Sequence, residues 1–212
     1  ESGGQARSAI YFDEEGRGGA RQEGEEICWF DDFSKTQRIG GHNQLNAACA
    51  AALVLGVGVE FEAMAEGLMN FHPLEHRMEP VRVVDGVRFI NDSKATNPHA
   101  SLAGLRGLDE PFIIIAGGVD KGLDMSEGVE FVATSAKEVV LIGAIAPGLG
   151  SRLSDRGAKV RVAATLEEAV RVTREIAEAG TTVVLSPACS SYDMFSSYEE
   201  RGEVFRQAVR RL

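Results

Sequence analysis

Residues 87–97 read Val87-Arg88-Phe89-Ile90-Asn91-Asp92-Ser93-Lys94-Ala95-Thr96-Asn97. Three of the first four are apolar and the run is β-leaning; six of the next seven carry polar side chains. Pro98-His99-Ala100-Ser101-Leu102-Ala103-Gly104-Leu105 follows, with Pro in the first turn and Leu102 and Leu105 at helical spacing. The stretch predicts a strand, a tight polar turn and a helix, the unit from which open α/β sheets are wound. Such sheets bind ligands outside the carboxyl ends of their strands, and a following helix N-terminus favours an anion. One carboxylate, one ammonium, hydroxyls and amides suit a ligand bearing both phosphate and hydroxyl groups. The same Asn, Asp and Ser residues also make ordinary helix caps. On these residues alone, a site and a capped connection stand level.

Downstream, the pattern repeats. Val81–Val84 and Val87–Ile90 flank Asp85-Gly86, a strong two-residue hairpin signal. Further strands are predicted at Phe112–Ala116, Val139–Ile142, Lys159–Val162 and Thr182–Leu185, with helices between the later ones. Leu166–Ala179 is the clearest helix, with Thr165 and Glu168 as a capping box and Gly180 as its stop. A last helix is predicted from about Ser197 to Arg211. This alternation argues an α/β fold with a mostly parallel, doubly wound sheet.

Upstream, Ser8–Phe12 and Ile27–Phe30 read as short strands and Asp13–Gly24 as an acidic, Gly-rich loop. Two strands cannot make a core; they read as the tail of a sheet whose other strands lie elsewhere. Leu45, Ala48, Cys49, Ala52 and Leu53 place an amphipathic helix over Asn43–Leu55, with Asn43 and Asn46 on one face of its first turn. Phe61, Met64, Ala65 and Leu68 repeat the pattern from about Glu60 to Asn70. Phe71-His72-Pro73-Leu74 breaks the run and sets the expected domain boundary, 1–73 against 74–212.

A net charge of −10 over 212 residues argues against non-specific nucleic-acid binding, though a few local cations still suffice for an anionic small ligand. No run approaches the roughly 18 apolar residues of a membrane span, and no basic, then apolar leader opens the sequence. A protein without membrane insertion is expected. Cys28, Cys49 and Cys189 are odd in number and unpaired in spacing, so they read as reduced, mostly buried cytoplasmic thiols. Neither CxxC nor clustered His and Cys suggests zinc.

Three more loops carry polar detail. Gly117-Gly118-Val119-Asp120-Lys121-Gly122 follows a strand; its glycines admit close backbone approach, and Lys121 supplies a point charge or is merely solvated. No GxxxxGK[ST] loop occurs in the sequence. Ser186-Pro187-Ala188-Cys189-Ser190-Ser191-Tyr192-Asp193-Met194-Phe195 lacks a GxSxG elbow and a partner His. Its hydroxyls read as binding groups and Cys189 as a packed thiol. In Glu75-His76-Arg77-Met78-Glu79, Arg77 either clamps a phosphate or pairs with Glu75 or Glu79.

These segments together resemble the D-glutamate-adding branch of the Mur ligases. The resemblance rests on Gly41-His42-Asn43-Gln44-Leu45-Asn46, His76-Arg77-Met78-Glu79, Asn91–Asn97, Gly117–Lys121 and Leu185–Phe195, in that order. It implies a Rossmann-like C-terminal domain over 74–212 preceded, over 1–73, by the end of an α/β ATPase domain. It also implies an ATP-dependent ligase that activates the carboxylate of UDP-N-acetylmuramoyl-L-alanine as an acyl phosphate, which the amine of D-glutamate then attacks. Carried over by motif, Asn43, Asn46, His76, Arg77, Asp92 and Lys94 would bind ATP, with Asp92 at the ribose. Arg77 and Lys94 would be catalytic; Thr96, Lys121, Ser191, Tyr192 and Tyr198 would hold D-glutamate. The family's phosphate loop, Mg²⁺ ligands and modified lysine precede the first residue of this sequence. A fragment of a monomeric enzyme, inactive alone and without metal ligands of its own, is therefore expected. Competing readings are another Mur ligase, a folylpolyglutamate synthase-like ligase, or a non-catalytic nucleotide- or amino-acid-binding module.

Overall fold

In the computed structural model, the structure describes residues 8–12, 18–22, 25–30, 49–51, 53–70, 74–108 and 111–212. The chain divides into two units, Glu1–His72 and Pro73–Leu212.

In the first unit, β1 (Ser8–Phe12), β2 (Gly18–Gln22) and β3 (Glu25–Phe30) form an antiparallel sheet in that order. Strand β2 corrects the expectation of one long loop over Asp13–Gly24. Gly-Gly-Ala-Arg-Gln has little β-propensity of its own; backbone pairing on both sides makes it a strand. Residues 49–51 and 53–56 are helical, and α1 spans Phe61–Met69. Met64 is buried in α1 as expected, whereas in the preceding helical stretch Ala51 is buried and Cys49 and Leu53 are exposed, against the expected pattern, and Cys49 is not a packed thiol. Asn43 and Asn46 lie outside the described residues.

The second unit holds a six-stranded sheet in the order β4-β5-β9-β6-β7-β8. Here β4 is Glu79–Val84, β5 Val87–Asn91, β6 Phe112–Gly117, β7 Ala136–Ile142, β8 Val160–Val162 and β9 Thr182–Leu185. The hairpin β4–β5 is antiparallel, and Asp85 and Gly86 both take positive φ, as a type I′ turn requires. All other pairs are parallel. Helices α2 (Pro98–Leu105), α3 (Ser126–Ser135) and α4 (Ala146–Ser154) follow β5, β6 and β7. Helices α5 (Leu166–Ile176) and α6 (Tyr198–Arg210) follow β8 and β9.

Alternation along β6 decides the layers. Ile114 and Ala116 pack with Leu105, Val129 and Leu149 of α2, α3 and α4. Ile113 and Ile115 face the other way, toward Leu166 and Val170 of α5 and Phe205 and Val209 of α6. The steps β6–β7–β8 run outward; β9 then returns between β5 and β6, so right-handed crossovers put α5 on the opposite face. This is the predicted Rossmann-like, doubly wound sheet.

Two of the bounds that differ from expectation have a clear local reason. Strand β7 begins at Ala136, directly after α3, with no connecting loop. Helix α5 starts as predicted, Glu168 N donating to Thr165 Oγ1 at 3.1 Å, but its second bond runs from Ala164 N to Glu168 Oε2. It ends at Ile176 rather than Ala179, because the chain must turn back into β9. Gly180, at φ +84°, makes that return and donates to Gly86 O at 2.9 Å.

Candidate functional site

The switch point of the sheet lies at β9, and backbone bonds splay three loops from neighbouring strand ends. Asp92 N donates to Leu185 O (2.8 Å), Ser186 N to Ile115 O (3.1 Å) and Gly117 N to Pro187 O (3.0 Å). The loops after β5, β6 and β9 therefore meet at one edge of the sheet, where ligands bind in such folds.

Residues 91–97 are held from beneath. The Asn91 amide donates to His76 Nδ1 (2.9 Å) and Gly202 O (3.2 Å), and Asn91 Oδ1 accepts from Ser93 N (3.2 Å). Ser93 Oγ donates to Tyr198 O at 2.8 Å. Arg201, 1% exposed, donates to Ser93 Oγ (3.0 Å), Ser93 O (2.8 Å) and Cys189 O (3.2 Å). One guanidinium thus ties the β5 and β9 loops together through neutral acceptors. Burial pulls its pKa down to about 10, so it stays charged near neutrality. Sequence reasoning missed Arg201. Its signal was the period, since Arg201, Phe205 and Val209 share the buried stripe of α6.

Asp92 is the hub of a second set of bonds. Its Oδ2 accepts from Ser186 Oγ (2.8 Å) and its Oδ1 from Met78 N (3.2 Å); Ser186 Oγ also pairs with Ser101 Oγ (2.8 Å). Burial pushes its pKa up to about 7, against the lowering effect of Ser186, Met78 and Arg77. As the structure stands, both carboxylate oxygens are engaged and the residue is 4% exposed. These bonds tie the β5 loop to the β9 loop and to the turn 75–79.

The turn 75–79 is strained, with His76 and Met78 both at positive φ. Glu79 Oε2 accepts from His76 N (2.9 Å), and Arg206 pairs with Glu79 Oε1 at 3.0 Å. Glu79 is therefore bound to Arg206, and Arg77 is exposed with no ion pair among the described residues. The His76 ring is buried against Gly202, where any side chain would overlap it.

Lys94 Nζ donates to Tyr198 Oη at 3.0 Å and lies 4.8 Å from that ring's centroid. Thr96 is half-buried beside it in sequence, and Asn97 caps α2 through Ala100 N (2.8 Å). In the β6 loop, Val119 and Ser190 exchange backbone bonds of 2.9 and 3.2 Å, binding that loop to the β9 loop. Gly118, at φ +130°, allows this approach, since a side chain there would strike Ser190 O. Lys121 projects into solvent, Ser191 is buried and Tyr192 is exposed. Cys189 is a packed thiol whose pKa burial raises to about 11, so it is no nucleophile.

A profile of the Mur ligase glutamate ligase domain matches residues 76–189, just over half of the chain. The chain belongs to the Mur ligase family. UDP-N-acetylmuramoylalanine–D-glutamate ligase of Desulfitobacterium hafniense strain Y51 is 42% identical to this Mur ligase chain over 190 residues, covering 89% of the chain and 42% of the relative. The enzyme of the same name from Cupriavidus pinatubonensis is 46% identical over 173 residues, 82% of the chain and 34% of the relative. The chain thus spans between 34% and 42% of the length of these curated relatives. Among solved structures, UDP-N-acetylmuramate-alanine ligase of Thermotoga maritima superposes with a TM-score of 0.68 at 15% identity, over 98% of the chain and 47% of that protein. Folylpolyglutamate synthase of the same organism gives 0.54 at 22% identity, over 81% and 41%. These two share the fold of the Mur ligase chain.

Proposed function

We propose that this chain is the C-terminal, amino-acid-accepting part of an ATP-dependent ligase. The reaction joins the amine of D-glutamate to the alanyl carboxylate of UDP-N-acetylmuramoyl-L-alanine, with ATP and Mg²⁺, in a monomeric cytoplasmic enzyme. Residues 1–73 belong, in this reading, to its ATPase domain. The observation that carries it is the meeting of three loops at the switch point, with Lys94, Lys121 and buried Arg201 contributing positive charge there. An acidic amino acid brings two carboxylates, and charge-assisted bonds to them are the strong ones. Relatives above 40% identity carry the name of the D-glutamate ligase, which favours it over the folylpolyglutamate synthase reading at 22%.

The roles are those the family resemblance implies. Lys121 and the Ser191 hydroxyl would hold a carboxylate of D-glutamate, with Thr96, Tyr192 and Tyr198 shaping the pocket. Arg77, exposed and unpaired among the described residues, is suited to the phosphates of ATP, and Lys94 would lie between nucleotide and amino acid. His76 would serve the nucleotide from its buried seat, with Asn43 and Asn46 on the adenine side. ATP supplies the leaving phosphate that makes the carboxylate reactive. Among the described residues no cluster of His, Cys, Asp or Glu is able to hold a metal ion, so no Mg²⁺ ligand is assigned here.

Phosphate release by the full-length protein tests this. With UDP-N-acetylmuramoyl-L-alanine, ATP and Mg²⁺, D-glutamate should support turnover, and L-glutamate, L-lysine and diaminopimelate should not. The 212-residue chain, which has no GxxxxGK[ST] loop, is the control and should release none above background. Turnover with a different amino acid in preference to D-glutamate would overturn the assignment.

A further inference from the structure

Beneath the site loops, α2, α3 and α4 line a half-open cavity of about 40 Å³ against the sheet, with Pro98, Ser101, Met125, Gly128, Leu149 and Ala188 in its wall. No ionisable side chain lines it. The volume is about three times what one water needs, but a water also requires roughly two to four polar partners. Ser101 is the one polar side chain in the wall, and its hydroxyl already pairs with Ser186 Oγ at 2.8 Å and Ser186 O at 3.2 Å. The space therefore suits an apolar occupant, whose dispersion contacts the wall otherwise forgoes.

We propose that this cavity is a binding site for a small, uncharged, apolar molecule, and that its occupancy is transmitted to the loops after β5, β6 and β9. The wall is continuous with those loops. Pro98 opens α2 immediately after residues 91–97. Ser101 is bonded to Ser186, which donates to Asp92. Ala188, held at φ +60°, lies between Pro187, whose carbonyl accepts from Gly117, and Cys189, whose carbonyl accepts from Arg201. An occupant that shifts α2 or Ala188 therefore strains the bonds joining all three loops. None of this depends on which amino acid the site takes.

The wall also supplies a test. A methyl placed on Gly128 meets nothing within 4 Å, so this wall position has room for a larger side chain. In the 212-residue chain with labelled methyls and amides, xenon dissolved under pressure is the probe. Saturable shifts are expected at the methyls of Leu102, Val129 and Leu149, and at the amides of Asp92, Ser186 and Ala188. Gly128→Leu should abolish them; if that variant does not fold, Gly128→Ala should raise the xenon concentration at half-saturation. Shifts that never saturate, or that persist unchanged in the folded Gly128 variant, would overturn the site. Saturable methyl shifts without amide shifts would overturn the coupling.

Discussion

Asp92 shows how one side chain carries a measurable consequence of the fold. Burial raises its pKa from the ordinary 3.8 to about 7. Between those values the folded chain keeps a proton that the unfolded chain has released. Its contribution to stability is therefore complete below about pH 4 and is lost as pH rises toward 7. Asp92→Asn keeps the shape and removes the titration. The stability of the parent relative to the variant should fall from pH 4 to 7 and level off above, read from urea midpoints. A difference flat with pH would mean that Asp92 titrates as an ordinary carboxylate. Lys121 makes the opposite kind of residue, exposed and outside every ion pair among the described residues. In the full-length enzyme, Lys121→Ala should remove a charge-assisted contact of about 1.5–3 kcal/mol. That corresponds to a roughly ten- to hundredfold higher KM for D-glutamate, with little change for ATP or for stability. A D-glutamate KM within about twofold of the parent's would leave Lys121 a solvated turn residue. Such polar loop residues were legible in sequence because their types and their place after strands pointed to ligands. What each one touches was not. Asp92 reads as a ribose contact, and nothing near it in the sequence points to Ser186 and Met78 as the partners of its oxygens.

At the scale of elements, the site depends on how closely loops approach, and glycines set that distance. Gly118→Ala would force a side chain against Ser190 O at a positive φ, in the bridge that joins the β6 and β9 loops. Gly122, also at positive φ, has open space around it. Gly122→Ala should cost about 1 kcal/mol, the backbone term alone, and Gly118→Ala clearly more, about 2–3 kcal/mol or above. Chemical denaturation of both variants measures the contrast; equal costs would mean that the bridge yields without penalty. Regular elements were read best where local chemistry and tertiary structure agree. The Asp85-Gly86 hairpin, the cap at Thr165 and the strand Thr182–Leu185 lie where turn residues, caps and apolar runs placed them. Strand β2 was missed because its pairing, and not its composition, makes it a strand.

At the scale of the molecule, strand and helix alternation was enough to predict a doubly wound sheet, and the return of β9 between β5 and β6 determines which loops share an edge. That return was not legible, because β9 is as apolar on both faces as β6 and nothing local distinguishes a central position from an edge. The same arrangement makes residues 73–212 a candidate for independent folding. Both faces of the sheet are covered, by α2, α3 and α4 on one side and by α5 and α6 on the other, each with its own apolar cluster. The two clusters share strands β6 and β7, so neither layer loses its packing without uncovering the strands that hold the other. One cooperative transition should result. A chain cut to residues 73–212 should unfold with a calorimetric enthalpy near 100 kcal/mol, the roughly 0.7 kcal/mol per residue typical of globular domains. The van't Hoff enthalpy should match it. Tryptophan fluorescence is no probe here, since Trp29 lies in the removed part, so differential scanning calorimetry and far-ultraviolet dichroism are the measurements. A van't Hoff value well below the calorimetric one would mean that the two layers melt separately, and that the switch-point loops are joined to two independently stable halves.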